Sequence, residues 1–160
     1  MVIDCIKVSD VILNCIPYIG YFLPDFSLSE SINLTFASYF VLIANVCIKY
    51  IFQQIGSHFN FKLPLLGSFC RPMAPNCSLL TPPGSMGMPS GHTQTVVFVA
   101  AYLYYRYGGK SKITIAAAIA AIIVMYCRVE SMKHSVQQVI VGFMFGVIFA
   151  KGYINYVILK

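Results

Sequence analysis

An all-α, multi-pass transmembrane helical bundle is predicted by three features of this sequence: an apolar composition, a series of long apolar runs, and a polar loop that divides them. Of 160 residues, 58% are hydrophobic and 10% are charged, more apolar surface than one water-soluble core of this length can hide. Lipid is the solvent that fits, so membrane lipids are the first expected partners. The net charge of +6 comes from 11 basic and 5 acidic residues. Most basic residues fall in the polar breaks, which suits headgroups and phosphate. A nucleic-acid stripe is denser, and no nucleic-acid partner is expected.

Five apolar segments are read in order within a single domain over residues 1–160. The first, about Val11 to Leu23, is short and interrupted by Pro17 and Gly20, so it either crosses with a kink or lies in the interface. The second, about Ile32 to Ile55, is long enough to cross and stops near Gly56. A loop from Ser57 to Met88 follows, rich in Pro, Gly, Ser and Asn, which is turn chemistry. The third segment is Thr93 to Tyr107, ended by Gly108-Gly109. An alanine-rich fourth runs from Ile113 to Tyr126, and a fifth from Val136 to about Leu159. Gly142, Gly146 and Ala150 repeat every fourth residue in the fifth, a spacing that lets helix backbones approach closely in lipid.

Of the six cysteines, Cys5, Cys15, Cys47 and Cys127 lie in or beside apolar runs and read as small buried hydrophobes. Cys70 and Cys77 flank a polar, proline-containing stretch, and are left open as a pair that an oxidising lumen would join. Asp4 precedes Lys7 and no small-residue cleavage site follows the first apolar stretch, so no removed signal peptide is expected. Tyrosine and phenylalanine without tryptophan suit interfacial belts and bundle packing.

If the second to fifth segments each cross once, the unusual polar residues meet at one membrane face. Lys62, Arg71, the run Pro89-Ser90-Gly91-His92, Arg128, Lys133 and His134 all fall there. Ser90 and its neighbours open an apolar helix, where backbone N–H groups and the positive dipole end can receive an anion; an ordinary helix cap has the same appearance. Arg71-Pro72 at a loop edge is by itself a solvated or headgroup-binding arginine. Arg128 and His134 stand at the boundary of two apolar segments, where ionisable groups are costly and often functional, although a structural histidine is the plainer reading. His58 reads as interfacial, and Glu130 as a solvated rim residue.

Together these elements resemble the three-part signature of the type 2 phosphatidic acid phosphatase superfamily: a lysine followed by Arg-Pro, then Pro-Ser-Gly-His, then Arg-x5-His. The resemblance covers Lys62 to Gly142. It implies a helical bundle with its active site at one membrane face, a lipid phosphate or diphosphate as substrate, and neither metal nor cofactor. By the same resemblance His134 is the nucleophile that becomes phosphorylated and His92 the acid for the leaving oxygen. Lys62, Arg71, Ser90, the Gly91 backbone and Arg128 would hold the phosphoryl oxygens.

These residue types suit that chemistry. Phosphoryl transfer depends on positioning and on neutralising charge over the equatorial oxygens. Guanidinium groups can do this in bidentate fashion and a lysine as a point charge. One neutral imidazole can attack phosphorus while a second delivers a proton. Paired histidines also bind metal, but no carboxylates or cysteines stand at ligand spacing beside them, and the nearby cations would repel a divalent ion.

Two departures from the superfamily pattern stand out. Eight residues rather than six separate Lys62 from Arg71, and Gln138 stands where an aspartate is common, four residues after His134. A glutamine can set the tautomer of the ring but brings no charge. Gly87-Met88-Pro89-Ser90-Gly91-His92-Thr93-Gln94 and His134-x3-Gln138-Val139 resemble the dolichyldiphosphatase branch, where glutamine is usual. That resemblance implies hydrolysis of a polyprenyl diphosphate to the monophosphate at the lumenal face of the endoplasmic reticulum membrane. Phosphatidic acid or another lipid phosphate is the alternative substrate, and a lipid-phosphate-binding protein without catalysis is the alternative of another class. With the candidate site residues left out, the charge distribution agrees in orientation: Arg106, Lys110, Lys112, Lys151 and Lys160 fall opposite the site, against Lys7, Lys49 and Lys133 on its side. Nothing in the sequence sets an oligomeric state.

Overall fold

The computed structural model describes residues 4–22, 26–63, 67–74, 76–82 and 85–158. Among them the chain forms α1 (Cys5–Cys15), a 3-10 helix (Ile16–Phe22), α2 (Leu28–His58), α3 (Gly91–Tyr107), α4 (Lys112–Glu130) and α5 (Val136–Ile158). Between α2 and α3 lies a short antiparallel hairpin of β1 (Lys62–Leu63) and β2 (Gly67–Ser68), in which Lys62 pairs with Ser68 and Leu63 with Gly67.

The first apolar segment differs from expectation. The helix starts earlier, at Cys5, because Asp4 caps it by accepting from the Lys7 N–H. It then gives way to 3-10 geometry from Ile16, next to a proline that has no N–H for an α-helical bond. Leu23, Leu159 and Lys160, which bounded expected segments or entered the charge comparison, lie outside the described residues.

The other four segments form where hydropathy places them, with ends up to four residues longer where a cap or a polar residue is tolerated inside the helix. Ser27 and Glu30 make a reciprocal capping box that starts α2. The helices α2, α4 and α5 are long and apolar enough to cross a membrane. At about 1.5 Å per residue, the 31 residues of α2 exceed the hydrocarbon thickness with length to spare. Their outward faces carry exposed Phe36, Phe40, Ile43, Ile119, Ile122, Ile140, Met144 and Ile148, the surface expected toward lipid tails.

Shorter and more polar, α3 is the central element and packs against α2, α4 and α5. Val96, Val97, Phe98, Val99 and Leu103 are buried along it. The small-residue repeat of α5 packs here: a Cβ on Gly142 would come within 2.6 Å of the Ser90 carbonyl oxygen, and one on Gly146 within 2.6 Å of that of Gln94. Buried Gln94 is satisfied by α2, accepting from Asn45 Nδ2 at 2.7 Å and donating to the Val41 carbonyl at 3.3 Å.

The loop before α3 folds over the ends of α2 and α5 around Phe69, Met86, Met88 and Val141. Phe52 of α2 meets Phe69 edge-on with centroids 5.4 Å apart. Gln53, fully buried, donates to the carbonyls of Ser78, Leu79 and Thr81. These contacts hold a loop with little secondary structure of its own in a defined place, and the site is built on it.

Candidate functional site

The turn between α4 and α5 places His134. Arg128 lies in the last turn of α4, Met132 takes a positive φ of 55°, and the His134 N–H returns to the Arg128 carbonyl at 3.0 Å. The ring is buried and its Nδ1 lies 2.9 Å from the Gly87 carbonyl oxygen and 3.2 Å from Gln138 Oε1. Both neighbours are acceptors, so in the neutral ring the proton sits on Nδ1 and the lone pair on Nε2.

Gln138, in the first turn of α5, is itself pinned. Its Nε2 donates to the carbonyls of Ser68 at 2.8 Å and Cys70 at 2.6 Å, while Oε1 also accepts from the Ser135 N–H at 3.2 Å. An aspartate in the same place would present oxygens to two carbonyls that need a donor, which is the physical reason a carboxamide suits this loop. Gly87 is required by the same contact, since a Cβ there would meet Oε1 at 2.6 Å.

Ser90 stands in the N-cap position of α3, yet its side chain makes no capping hydrogen bond. It is buried, its N–H donates to the Gln138 carbonyl at 3.1 Å, and its hydroxyl receives Thr93 Oγ1 at 3.1 Å. Gly91 starts the helix against α2, where a Cβ would meet Asn45 Oδ1 at 2.8 Å. His92 faces α1: its Nε2 lies 2.8 Å from Asp10 Oδ1. Arg128 reaches the same place, with Nη1 3.5 Å from Asp10 Oδ1 and 3.4 Å from Ser9 Oγ. Arg128 Nε is buried without a hydrogen-bond partner among the described residues.

Three cations surround His134. Burial first, then the charges of Arg128, Lys49 and Arg71, hold its ring far below the ordinary histidine range, at about 3. It is therefore neutral at physiological pH. Arg71 lies in the loop, paired with Ala74 in an isolated bridge, and burial lowers its guanidinium from the usual arginine range. Cys70 and Cys77, left open above as a pair, form a disulfide with Cα atoms 5.6 Å apart that brackets Arg71.

The structure thus brings His134, Gln138, Arg71, Arg128, Ser90, Gly91 and His92 to one end of the bundle. Lys62 is placed differently: it lies in β1 across from Ser68 with an exposed side chain. Lys49 is the lysine that reaches the cluster. It is 4% exposed, and its Nζ donates to the Met86 carbonyl at 2.8 Å. Lys49, counted above only among the charges on the site side, thus turns its ammonium inward to the cluster. A lone lysine inside the apolar run of α2 is by itself a signal of function. The comparison with Arg-Pro spacing had drawn attention to Lys62 instead. Asp10 was also missed, and only a contact between residues 82 positions apart reveals it.

The family model described as the PAP2 superfamily matches residues 34–159, from within α2 to the end of α5, and leaves α1 outside. No curated protein and no solved structure matches the chain. With the helical bundle, the buried His134 and its ring of cations in place within the matched span, the chain belongs to the PAP2 superfamily.

Proposed function

We propose that this protein is a membrane phosphatase that hydrolyses a lipid phosphate or diphosphate through a phosphohistidine on His134, with a polyprenyl diphosphate of the dolichyl type, cleaved to the monophosphate, as its substrate. The observation that carries this reading is the tautomer of His134: two acceptors fix the proton on Nδ1 and leave Nε2 as a neutral nucleophile among Arg128, Lys49 and Arg71.

In this reading the Nε2 lone pair forms the P–N bond as the bond to the leaving oxygen breaks, and His92 protonates that oxygen. Water then attacks the phosphohistidine with His92 as base, the P–N bond breaks, and inorganic phosphate leaves. Arg71, Arg128, Ser90 and the Gly91 backbone hold the equatorial oxygens, and we assign the lysine of the cradle to Lys49, with Lys62 at the rim. Gln138 keeps the His134 tautomer. No metal is needed for these steps.

The choice of a polyprenyl diphosphate rests on the resemblance of Gly87 to Gln94, and of His134 with Gln138, to the dolichyldiphosphatase branch. The Cys70–Cys77 disulfide beside Arg71 supports a site face in an oxidising compartment, such as the lumen of the endoplasmic reticulum. Arg106, Lys110, Lys112 and Lys151 at the other end agree with that orientation.

The test is phosphate release in EDTA by purified protein from a polyprenyl diphosphate and from phosphatidic acid, for wild type and His134→Ala. Release from the diphosphate that disappears in the variant is the expected result. Release from phosphatidic acid alone moves the substrate to another lipid phosphate. Release that needs an added divalent ion overturns the metal-free mechanism. Retained lipid binding without release from either substrate makes the chain a lipid-phosphate-binding protein.

A further inference from the structure

The two histidines of the site have partners of opposite character. His134 is held by a neutral carboxamide and a backbone carbonyl, whereas His92 is held by a carboxylate, Asp10, at 2.8 Å. Asp10 belongs to α1, which lies outside the span matched by the superfamily and docks on α4 and α3. Its carboxylate also lies within 3.5 Å of Arg128 Nη1, so one side chain of α1 ties together residues of α3 and α4.

The electrostatic setting of His92 makes that carboxylate matter. The charged or titratable groups around it are Asp10 from α1, Lys49 from α2 and Arg128 from α4, with His134 and Arg71 nearby in the same cluster. Burial first, then the charges of Arg128 and Lys49, hold His92 below the ordinary histidine range, and of these neighbours the Asp10 carboxylate is the one that pulls the other way. A group that must deliver a proton to a leaving oxygen needs such an anion, one that favours the charged ring and fixes its orientation.

We propose that Asp10 is a positioning residue for the proposed reaction: its carboxylate orients His92 and favours the charged ring against burial and the nearby cations, so that this histidine rather than His134 takes up and delivers the proton. The inference rests on the phosphatase reading above. With Nε2–H held by Asp10, the proton that leaves is the one on Nδ1. It passes to the leaving oxygen as the P–O bond breaks, and the ring is left neutral with its Nε2–H still on the carboxylate. The reverse transfer occurs when water attacks the phosphohistidine. The chain thus places a carboxylate on the acid and a neutral amide on the nucleophile, which favours the charged ring at the first and not at the second.

The experiment compares Asp10→Asn and Asp10→Glu with wild type, in detergent-solubilised full-length protein, on two substrates. Phosphatidic acid, the alternative lipid substrate, has a poor alkoxide leaving group that needs a proton; p-nitrophenyl phosphate, like the proposed diphosphate with its phosphate leaving group, needs one much less. Asp10→Asn is expected to lose about tenfold or more in kcat on phosphatidic acid and less than about threefold on the aryl ester. The alkaline limb of its pH–rate profile should move to lower pH, and Asp10→Glu should recover most of the rate. Equal losses on both substrates would reduce Asp10 to a brace for α1. A rise on both would mean that its carboxylate competes with phosphate for the cradle, and either result overturns the proposal.

Nitrogen-15 spectra of labelled histidine provide a reading that does not require turnover. His92 should hold its second ring proton to a higher pH in wild type than in Asp10→Asn, with Nε2 the nitrogen that stays protonated above that pH; identical titrations would overturn the pairing. Inactive wild-type protein with this spectroscopic difference intact would overturn the phosphatase reading and the acid role together, while leaving Asp10 as the partner that favours the charged His92.

Discussion

Gln138 Oε1 lies 3.2 Å from Nδ1 of His134, and the other end of the same carboxamide donates to the carbonyls of Ser68 and Cys70. One buried side chain therefore joins the turn before α5 to the hairpin loop and sets the tautomer of the ring. Gln138→Glu keeps the shape and removes the donor. It leaves two carbonyls facing a carboxylate, and a destabilisation of about 2–3 kcal/mol is expected, read as a lower Tm in detergent. Gln138→Met, which lacks both ends, should stay folded better than Gln138→Glu and still lose activity.

Lys49 and Lys62 separate cleanly by substitution. Lys49→Met keeps the buried volume, removes the charge, and is expected to lower kcat by about 100-fold with little loss of Tm. Lys62→Met changes an exposed residue and should alter the rate by about twofold or less. Steady-state kinetics on the two variants check the assignment.

The His134 ring makes stability depend on pH with a definite sign. Folding lowers its proton affinity from the ordinary 6.5 to about 3. Below 6.5 the unfolded chain takes up a proton that the folded chain refuses. The contribution is complete above 6.5, and is lost progressively as pH falls toward about 3. Tm measured across this range should fall with pH, and less steeply in His134→Asn.

Close packing of α5 on α3 is tested at glycines. Gly142→Ala and Gly146→Ala each place a Cβ within 2.6 Å of a backbone carbonyl, that of the N-cap Ser90 and that of Gln94 in α3, and each should cost about 1–3 kcal/mol. Gly142→Ala should also lower activity, because the carbonyl it strikes belongs to Ser90. Gly152→Ala, with nothing within 4 Å of the added Cβ, should be neutral or stabilising by up to about 1 kcal/mol. Thermal unfolding of the three variants checks the ranking.

The Cys70–Cys77 disulfide brackets Arg71. Reduction, or Cys70→Ser with Cys77→Ser, is expected to lower stability by about 2 kcal/mol and to raise KM for the lipid substrate through a less constrained Arg71. Melting curves and kinetics with and without reductant check this.

Helices, breaks and the loop were legible before any fold was known, because hydropathy and Gly/Pro punctuation are local properties of the chain. Thus α3, α4 and α5 begin within two residues of the apolar runs, and Pro89-Ser90-Gly91-His92 and Arg128 to His134 sit at one end of the bundle as their placement in those runs implies. Motif spacing along the chain pointed to Lys62, since counting residues assumes a loop of fixed length. The loop here is longer, and packing turns Lys49 inward one helical face away from lipid. Asp10 on His92, the carboxamide link through Gln138, and the tautomer of His134 depend on fields and hydrogen bonds that act through space. Those follow from how α1, the hairpin loop and the α4–α5 turn close over one another, which no local pattern encodes.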